Sequence, residues 1–593
     1  MRIAVIDRSK CKPDKCGYLC IKYCPLIKNN IEVIKIGPDK KPIIDENLCI
    51  GCGICVKKCP FKAIEIVNLP EELKEDPVFQ YGPNAFRIYR LPIPKFGNII
   101  GIIGPNGIGK STAIKILAGL LKPNFGKFDG ISEKEIIKRF RGTELQTYFE
   151  KLYNKELKIS YKPQDILLIA KLFKGKTVKE LLLNVTKDEN RIREIAEKLN
   201  ISHILDRNVE NLSGGELQRV ALAALFLKQA NVFLIDEPTA FLDIKERLNL
   251  ATFLNNFKSE DKVILLVEHD LIFLDYTTDF VHIVYGKPKV YGIFSLLRST
   301  KDGINEYLEG YLREENVRIR DRKIIFEVKA PERPEYKEKI ISWTKLMKKL
   351  DGFTLEVEEG YIGKGEIVGV VGPNGIGKTT FAKILAGILK PDEGEISKEI
   401  EISYKPQYIE LTEEQKWITV QEFLRKINPR YRSEEYLINL IRPLGVDLLF
   451  ERYLGELSGG ELQAVFTVGC LLKEADLYVI DEPTAFLDVE QRINLSKAIR
   501  DFIKTKEKSA FVIDHDILFI DYISDSLIVF RGEPGKYGKA IGPLSMKEGM
   551  NLFLKDLGIT FRRDPETKRP RANKPGSVLD RQQKAKGEYY YLS

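Results

Sequence analysis

The chain has 593 residues, of which 44% are hydrophobic and 30% are charged, and its formal net charge is +9. A chain of this length is expected to form three or four domains with buried cores. Its longest apolar runs, around residues 221–227 and 263–267, are too short to span a bilayer, and its N-terminus lacks the pattern of a signal peptide.

Eight of the nine cysteines lie between Cys11 and Cys59. In a large chain this clustering is typical of metal thiolates in a reducing cytosol, not of a disulfide framework. The later four have the ferredoxin spacing Cys-x2-Cys-x2-Cys-x3-Cys-Pro, whose fourth cysteine normally ligates the other cluster of a two-cluster domain. The earlier four are more widely spaced and end in the same Cys-Pro. This crossing rule predicts two [4Fe–4S] clusters, with the ligand sets Cys24, Cys49, Cys52 and Cys55, and Cys11, Cys16, Cys20 and Cys59.

Zinc is the alternative, because thiolate quartets also bind zinc. Zinc sites usually combine two short Cys-x2-Cys pairs, whereas three ligands within residues 49–55 favour a cubane. No flavin or second redox centre is recognisable, which favours a structural or sensing role over electron transfer. We predict that residues 1–70 form a small ferredoxin-like α+β domain.

The rest of the chain contains one set of motifs twice. The sequence LSGGELQ begins at residues 212 and 457, and DEPTAFLD begins at residues 236 and 481. Both motifs recur after 245 residues (457 − 212 and 481 − 236), so they mark two homologous domains.

A glycine-rich loop, GPNGIGK, precedes these motifs in both copies. Its glycines allow backbone N–H groups to cradle phosphates at a helix N-terminus. In the first copy, residues 98–103 are predicted as the preceding strand and residues 111–121 as the following helix. Lys110 and Lys378 are predicted to reach the β- and γ-phosphates. The other predicted ATP ligands of the two loops are Gly104, Asn106, Gly107, Gly109, Ser111, Thr112, Gly372, Asn374, Gly375, Gly377, Thr379 and Thr380.

Each copy also has an apolar strand pattern that ends in Asp-Glu. Asp236 and Asp481 are predicted to complete a Mg²⁺ shell begun by the hydroxyl that follows each loop lysine, in Ser111 and Thr379. The adjacent Glu237 and Glu482 are the predicted general bases that activate the attacking water.

Two of the four histidines, His269 and His515, occupy one repeated position after an apolar strand. This repetition argues against an ordinary core histidine and places them among the predicted catalytic residues, next to the γ-phosphate. Gln164 and Gln407, both in the tetrapeptide YKPQ, are predicted to complete the shell of metal and water.

The sequence LSGGE contains a capping box, Ser213 to Glu216 and Ser458 to Glu461. This box precedes the Asp-Glu pair at one spacing in both copies (236 − 213 and 481 − 458), which resembles the signature of the ATP-binding cassette superfamily. The copies differ after it: Arg219 in the first corresponds to Ala464 in the second, which predicts unequal hydrolysis rates.

The superfamily resemblance implies an α/β fold with two P-loop nucleotide-binding domains packed head-to-tail and two ATP molecules between them. Each site is then composite, combining Lys110 with Ser458, and Lys378 with Ser213. The remaining residues that this resemblance implies for the composite sites are Gly215, Gly460, Asp243 and Asp488.

The first copy is longer than the second between its loop lysine and its YKPQ glutamine (164 − 110 against 407 − 378). The extra residues lie at about 130–154 and are predicted to form a helix, a Gly-Thr turn and a second helix capped by Thr143. Lys138, Arg139 and Arg141 at the bend suit docking on a phosphate backbone, and a packing embellishment is the alternative.

A further repeat follows each copy, around Asn305 and Asn551. We therefore predict nucleotide-binding domains at 71–300 and 326–540, a hinge at 301–325, and a second hinge with a basic tail at 541–593. From residue 561 onwards the tail has nine Lys or Arg against four Asp or Glu, which suits either a polyanionic partner or plain solvation.

With this order of parts, FRGTELQ at 140–146 and ITFRRD at 559–564, the whole chain resembles the RNase L inhibitor family, ABC subfamily E. The resemblance implies an ATP hydrolase that splits ribosomes into subunits and binds the small ribosomal subunit and a release or rescue factor. It also implies a cytoplasmic, monomeric protein without membrane contact. Tyr81 and Phe86 are the implied adenine contacts of the first domain, and in the second Phe353 is favoured over Trp343.

Three other functions remain open. A motor for a separate membrane transporter is disfavoured by the ferredoxin-like domain. An ATP-dependent iron–sulfur redox protein requires a substrate site that the sequence does not reveal. A paired-cassette translation ATPase without clusters is disfavoured by the eight clustered cysteines.

Overall fold

The computed structural model describes residues 2–46, 48–68, 76–321, 323–326, 332–350, 352–397 and 400–590. The predicted boundary at residues 70–71 and the last three residues of the predicted tail lie outside these ranges.

A small α+β domain begins the chain. Its elements are β1 (Arg2–Ile6), α1 (Pro13–Cys16), α2 (Leu19–Lys22), α3 (Pro25–Lys28), β2 (Ile34–Ile36), β3 (Pro42–Ile44), α4 (Ile54–Lys58) and β4 (Ile64–Asn68). Strand β1 pairs antiparallel with β4, and β2 with β3. Helices α1 and α3 each begin at a proline, whose fixed φ suits the first helical position. The core of this domain includes Cys20 and Cys55, and Cys11, Cys24, Cys49 and Cys59 pack against it.

The first cassette follows. Its strands are β5 (Phe79–Gln80), β6 (Arg87–Tyr89), β7 (Ile99–Ile103), β8 (Ile159–Lys162), β9 (Val232–Asp236), β10 (Val263–Val267), β11 (Phe280–Lys287), β12 (Tyr291–Phe294) and β13 (Arg298–Ser299). Its helices are α5 (Lys110–Leu117), α6 (Glu133–Arg139), α7 (Glu144–Tyr153), α8 (Leu167–Leu172), α9 (Val178–Val185), α10 (Glu189–Lys198), α11 (Gly214–Leu227), α12 (Ile244–Phe257) and α13 (Leu271–Thr277). Short 3-10 turns lie at Ser202–Ile204 and Val209–Asn211.

The second cassette repeats this set. Its strands are β16 (Lys339–Trp343), β17 (Leu346–Leu350), β18 (Phe353–Val357), β19 (Gly360–Gly363), β20 (Ile367–Val371), β21 (Ile402–Lys405), β22 (Leu477–Asp481), β23 (Ser509–Ile513), β24 (Ser526–Glu533) and β25 (Tyr537–Ser545). Its helices are α15 (Lys378–Leu385), α16 (Glu413–Lys416), α17 (Val420–Ile427), α18 (Glu434–Tyr436), α19 (Gly459–Leu472), α20 (Val489–Thr505) and α21 (Ile517–Ile523). A π-helical turn lies at Leu437–Ile441, and 3-10 turns at Val446–Leu449 and Leu454–Glu456.

The two large sheets have the same strand order, which confirms the predicted duplication. The first runs β5-β6-β12-β11-β7-β10-β9-β8 and the second β17-β18-β25-β24-β20-β23-β22-β21. In both, five strands at one end are parallel. The inner three of them, β7, β10 and β9 or β20, β23 and β22, are buried along their whole length, as expected where helices cover both faces. The phosphate loop follows the central strand, β7 or β20, at its carboxyl end.

The helix after the first phosphate loop is shorter than predicted. It begins at Lys110 and ends at Leu117 instead of reaching residue 121. Gly119 adopts a left-handed φ of 73°, and the Leu120 N–H bonds back to the Lys115 carbonyl at 2.9 Å. A left-handed glycine closes the last turn of a helix, so the apolar residues beyond it are outside the helix.

The insert forms the predicted pair of helices, α6 and α7. Ser132 caps α6 by accepting from the Glu135 N–H. Thr143 occupies the N-cap position of α7, but its hydroxyl donates to the Phe140 carbonyl at 2.7 Å and accepts nothing from the helix. The predicted side-chain cap is therefore wrong, since this hydroxyl instead fastens the turn between the helices.

The hinge elements follow each cassette. The first hinge contains α14 (Thr300–Glu309), β14 (Tyr311–Leu312) and β15 (Val317–Arg318), and the second contains α22 (Met546–Leu557), β26 (Phe561–Arg563), β27 (Pro570–Ala572) and α23 (Val578–Lys586). Asn305 of the first hinge donates to Asp564 and Glu566 of the second, at 3.3 and 3.1 Å.

Three arginines of the basic C-terminal segment are packed into the fold, whereas Lys568, Lys574, Arg581, Lys584 and Lys586 are exposed. Arg569 and Arg571 both pair with Asp275 of the first cassette, and Arg563 pairs with Asp521 of the second at 2.8 Å. All five side chains are buried. Breaking such a buried pair costs about 3–5 kcal/mol because one charge is left uncompensated. The segment therefore fastens the two cassettes to each other.

Candidate active site

The two phosphate loops hold their lysines in the same way. Lys110 Nζ donates to the carbonyls of Gly104 and Pro105, both at 2.7 Å. Lys378 repeats this with Gly372, at 2.9 Å, and with Pro373. Burial lowers the pKa of both lysines, that of Lys110 to about 8. A phosphate placed beside either ammonium group would favour its charged form.

The Asp residues at the ends of β9 and β22 are suited to a cation. Both carboxylate oxygens of Asp236 and Oδ1 of Asp481 are buried without a hydrogen-bond partner among the described residues. Oδ2 of Asp481 accepts from the Thr379 hydroxyl at 2.7 Å. Burial raises the pKa of both carboxyls, that of Asp481 to about 6. Buried oxygens without partners, next to the hydroxyl of the loop, fit the hard oxygen shell that Mg²⁺ requires.

Glu237 and Glu482 follow directly, with φ angles of 49° and 44°. A left-handed φ is uncommon for residues other than glycine and clusters at functional sites. The His515 ring Nε2 lies 3.1 Å from Glu482, and His269 Nε2 lies 3.7 Å from Glu237. This backbone turn directs each carboxylate towards the histidine of the neighbouring strand.

The electrostatics keep these glutamates ionised. Burial opposes the charge of Glu482, but His515, Lys378 and a hydrogen bond from Gln407 outweigh it and lower its pKa to about 2. The pKa of Glu237 is lowered in the same way, and Gln164 Nε2 donates to it at 2.9 Å. An ionised carboxylate can accept a proton from water, which a general base must do.

The cassettes face each other head-to-tail, and each phosphate loop contacts the other cassette. The Asn106 N–H donates to Asp488 at 2.8 Å, and the Asn374 N–H donates to Asp243 at 2.9 Å. We call the loop at 104–111 with Ser458 and Asp488 the first composite site. The loop at 372–379 with Ser213 and Asp243 is the second composite site.

The signature segments open helices α11 and α19 at the predicted capping boxes of Ser213 and Ser458. A side chain at Gly215 would come within 2.9 Å of the Phe241 carbonyl, and one at Gly460 within 2.8 Å of the Phe486 carbonyl. Glycine at both positions thus permits close contact between the signature and the loop that carries Asp243 or Asp488.

The predicted adenine contacts lie beside the phosphate loops. The Phe86 and Phe353 rings both border the third loop glycine, where a Cβ would come within 2.8 and 3.0 Å of them. The Tyr81 hydroxyl lies 3.0 Å from that of Thr112, and its ring is half exposed. Trp343 is buried, and its indole N–H donates to the Glu358 carbonyl at 2.8 Å. The placement therefore favours Phe353 over Trp343 as the counterpart of Phe86.

The eight N-terminal cysteines line two cavities. One, of about 360 Å³ including space open to solvent, is bordered by Cys24, Cys49, Cys52 and Cys55. The other, of about 350 Å³, is bordered by Cys11, Cys16, Cys20 and Cys59. These are the two sets that the crossing rule predicts.

The chemistry of these cavities fits a cationic cluster core. Burial raises the pKa of Cys20 to about 11 and that of Cys55 to about 12, so their thiolates require positive charge nearby. Within the described ranges, no group of three or more His, Cys, Asp or Glu side chains is arranged to hold a single metal ion. Each quartet borders a cavity of its own.

Two features escaped the sequence reasoning. Lys12, next to Cys11, lies 3.6 Å from Glu456, which is two residues before the second signature serine. Lys162 and Lys405, the lysines of YKPQ, are buried against the Asp-Glu segments. The repetition of the whole tetrapeptide was the available signal for the lysines, whereas the contact of Lys12 depends on domain packing alone.

These features define a twin-cassette ATPase of the ATP-binding cassette superfamily with an N-terminal iron–sulfur domain. Family models agree: the one described as "ABC transporter" matches residues 94–240 and 356–485, and "4Fe-4S binding domain" matches 42–65. The model "Possible Fer4-like domain in RNase L inhibitor, RLI" matches residues 1–32. Within the described ranges, we find no helix with the length and apolar character needed to span a bilayer.

Full-length relatives identify the family. The chain is 52% identical to an uncharacterized ABC transporter ATP-binding protein of Methanocaldococcus jannaschii, over 100% of this chain and 98% of the relative. It is 44% identical to Translation initiation factor RLI1 of Saccharomyces cerevisiae, with the same coverage. A structure titled "Model of ribosome-bound archaeal Pelota and ABCE1" matches with a TM-score of 0.93 and 52% identity, over 100% of this chain and 99% of the other. The chain belongs to the RNase L inhibitor family, ABC subfamily E, and hydrolyses ATP.

Proposed function

We propose that this ATPase couples closure of its cassettes around two ATP molecules to the splitting of ribosomes into subunits after termination or rescue. The observation that carries the proposal is that each phosphate loop contacts an aspartate of the opposite cassette, Asn106 with Asp488 and Asn374 with Asp243. ATP bound there bridges both cassettes, so binding favours closure and hydrolysis permits opening.

In this proposal the small ribosomal subunit and a release or rescue factor are the partners, and the cytoplasm is the site of action. Support comes from the ribosome-bound relative, and from a second structure titled as a complex of archaeal ribosomal stalk protein aP1 and "archaeal ribosome recycling factor aABCE1". That structure matches with 52% identity and a TM-score of 0.82, over 88% of this chain and 100% of the other.

The residue roles proposed for hydrolysis follow the geometry. Glu237 and Glu482 act as the general bases, oriented by His269 and His515. Ser111, Gln164 and Asp236, and likewise Thr379, Gln407 and Asp481, are the proposed Mg²⁺ shells, and bound Mg²⁺ neutralises developing phosphate charge. Tyr81, Phe86 and Phe353 contact adenine.

Two [4Fe–4S] clusters are proposed for the N-terminal cavities, held by the two crossed quartets. Anaerobically purified protein is then expected to contain about eight iron atoms per chain, four for each cubane. Cys24→Ser and Cys59→Ser should each remove one cluster and leave the other quartet loaded. Stoichiometric zinc without acid-labile sulfide contradicts the assignment.

The iron–sulfur domain is the proposed lever. It packs on the first cassette, where the Asn84 side-chain amide donates to the Ala4 and Ile44 carbonyls and Arg87 pairs with Glu46 at 2.6 Å. It also reaches the second cassette through Lys12 and Glu456. A domain that contacts both cassettes must change at least one set of contacts when they open or close.

The test uses ribosomes, ATP and a release factor, with subunit separation followed by sedimentation. Deleting residues 1–70 should abolish splitting and leave ATP hydrolysis largely intact. Deleting the insert at 130–154 should instead weaken binding to the small subunit. Splitting at the full rate by the chain lacking residues 1–70 contradicts the lever, and the absence of any ribosome-dependent effect of the intact chain contradicts the proposed function.

A further inference from the structure

The lysines of the two YKPQ segments are buried beside the catalytic segments. Lys162, at the end of β8, is 2% exposed, and its Nζ donates to the Asp236 carbonyl at 2.9 Å and to the Pro163 carbonyl at 3.1 Å. The same lysine therefore bonds both the strand end that carries the Asp-Glu pair and the start of the loop that carries Gln164.

The second cassette repeats the arrangement. Lys405 is 1% exposed, and its Nζ donates to the Asp481 carbonyl at 2.8 Å and to the Pro406 carbonyl at 3.2 Å. A longer contact of 3.4 Å reaches the Glu482 carbonyl. Two copies of the same buried contact, in cassettes that differ at many other positions, argue against chance packing.

A lysine is an expensive choice for these positions. Removing an ammonium group from water is unfavourable unless its donors are satisfied, and an aliphatic side chain would fill the same space without that cost. The carboxylates that face Lys162 are those of Asp236, Glu237 and Glu268. The position thus combines a costly charge with bonds to the backbone of the residues that carry the chemistry.

The contacts close a ring. Lys162 fixes the carbonyl of Asp236, which belongs to the peptide that leads into Glu237. The Glu237 carboxylate accepts from Gln164 at 2.9 Å. Gln164 directly follows Pro163, whose carbonyl accepts from Lys162, so the contacts lead back to the lysine. Glu237 sits in this ring with its left-handed φ of 49°. Holding the peptide between Asp236 and Glu237 in place fixes the position and direction of the Glu237 side chain.

We propose that Lys162 and Lys405 are positioning residues for ATP hydrolysis, each holding the Asp-Glu peptide and the neighbouring glutamine loop as one unit. The inference rests on the proposed role of Glu237 and Glu482 as general bases. Both lysines donate to backbone carbonyls, so each acts through the proposed general base and the proposed ligands of Mg²⁺. A misplacement of about 1 Å in such a group can cost on the order of 100-fold in rate.

The test isolates one site at a time. In a Glu482→Gln chain, Lys162→Met is expected to lower kcat by about 10- to 100-fold. The KM for ATP and the Kd for the non-hydrolysable analogue AMP-PNP should change by less than about threefold, since the phosphate loop is untouched. Lys158→Met is the matched control, because Lys158 is exposed and lies just before β8; it should match the parent.

A double-variant cycle separates positioning from general destabilisation. If Lys162 acts through the ring, Lys162→Met and Gln164→Ala should be non-additive in kcat. Additive losses, a parallel loss of AMP-PNP binding, or an unchanged kcat overturn the proposal. Lys405→Met in a Glu237→Gln chain provides the independent second test if Lys162→Met does not fold.

A further variant separates failure of the general-base assignment from failure of the positioning role. If the Glu237→Gln and Glu482→Gln double variant still hydrolyses ATP at the wild-type rate, the general-base assignment is wrong. If that variant is inactive and Lys162→Met is fully active, only the positioning role is wrong.

Discussion

The two composite sites contain the same motifs but differ in the residues around them. In the first, the Asn106 side chain adds two contacts across the interface, to the Phe486 carbonyl at 3.3 Å and to Gln491 at 3.4 Å. Among the contacts recorded for the described residues, Asn374 of the second site reaches the opposite cassette through its backbone N–H alone. The two phosphate loops thus have the same GPNGIGK sequence but make different numbers of hydrogen bonds to the opposite cassette.

The contacts that hold the signature segments differ too, and here the second composite site has the additional contact. In the first cassette Arg219 lies 3.1 Å from Glu246 and donates to the Asn200 carbonyl at 2.8 Å. Ala464 and Gln491 occupy the equivalent positions in the second cassette. The first signature, which serves the second composite site, is therefore fastened by an ion pair, whereas the second signature lacks this pair.

This comparison locates structural differences between the two sites outside their shared motifs. Each site takes its loop from one cassette and its signature from the other, so a substitution in the first cassette can act on the second composite site. Unequal rates are then expected even though the proposed bases are identical and the proposed metal ligands differ only in Ser111 against Thr379.

The largest effect is expected from removing each base in turn. Glu237→Gln and Glu482→Gln should each lose hydrolysis at their own site by about 100- to 10,000-fold, because the carboxylate proposed to accept the proton of water is gone. ATP binding should persist, since the phosphate loop and metal ligands remain.

Steady-state hydrolysis of the two single variants then reports the rate of the remaining site in each. Retention of radiolabelled ATP on a filter measures occlusion at the blocked site. Full wild-type turnover in both single variants would falsify the assignment, and equal residual rates would remove the asymmetry inferred from the interfaces.

The duplication made much of the fold predictable. Motif order and spacing define two cassettes, and the cysteine spacing predicts the two quartets that line the cavities. The ends of helices were predicted less accurately. The left-handed Gly119 closes α5, although the apolar pattern of the sequence continues beyond it. Thr143 likewise has the sequence of a cap, while its hydroxyl bonds backwards into the turn.

Long-range contacts could not be read from local patterns. The positive charge near residue 561 predicts a solvated or polyanion-binding tail, and five of its nine Lys and Arg side chains are exposed, but the pattern does not predict that Arg569 and Arg571 pair with Asp275 in the first cassette. A charge pattern does not reveal its partner when the partner lies in another domain. The contacts of the YKPQ lysines were not predicted for a different reason: their partners are backbone carbonyls, which every residue carries.

The smallest effect is expected at Arg219, and it sharpens the comparison most. Arg219→Ala removes a half-buried ion pair of about 0.5–1.5 kcal/mol, which corresponds to a two- to tenfold change in an equilibrium. In a Glu237→Gln chain, where only the second composite site hydrolyses, the lifetime of the closed state should shorten by that factor. In a Glu482→Gln chain the same substitution should have little effect, because Arg219 does not serve the first composite site. Release of a fluorescent ATP analogue measures the lifetime of the closed state in both chains.

The reciprocal pair Ala464→Arg and Gln491→Glu should transfer the ion pair to the second signature and lengthen closure of the first composite site. Equal responses of the two sites would show that the fastening of the signature does not set their difference.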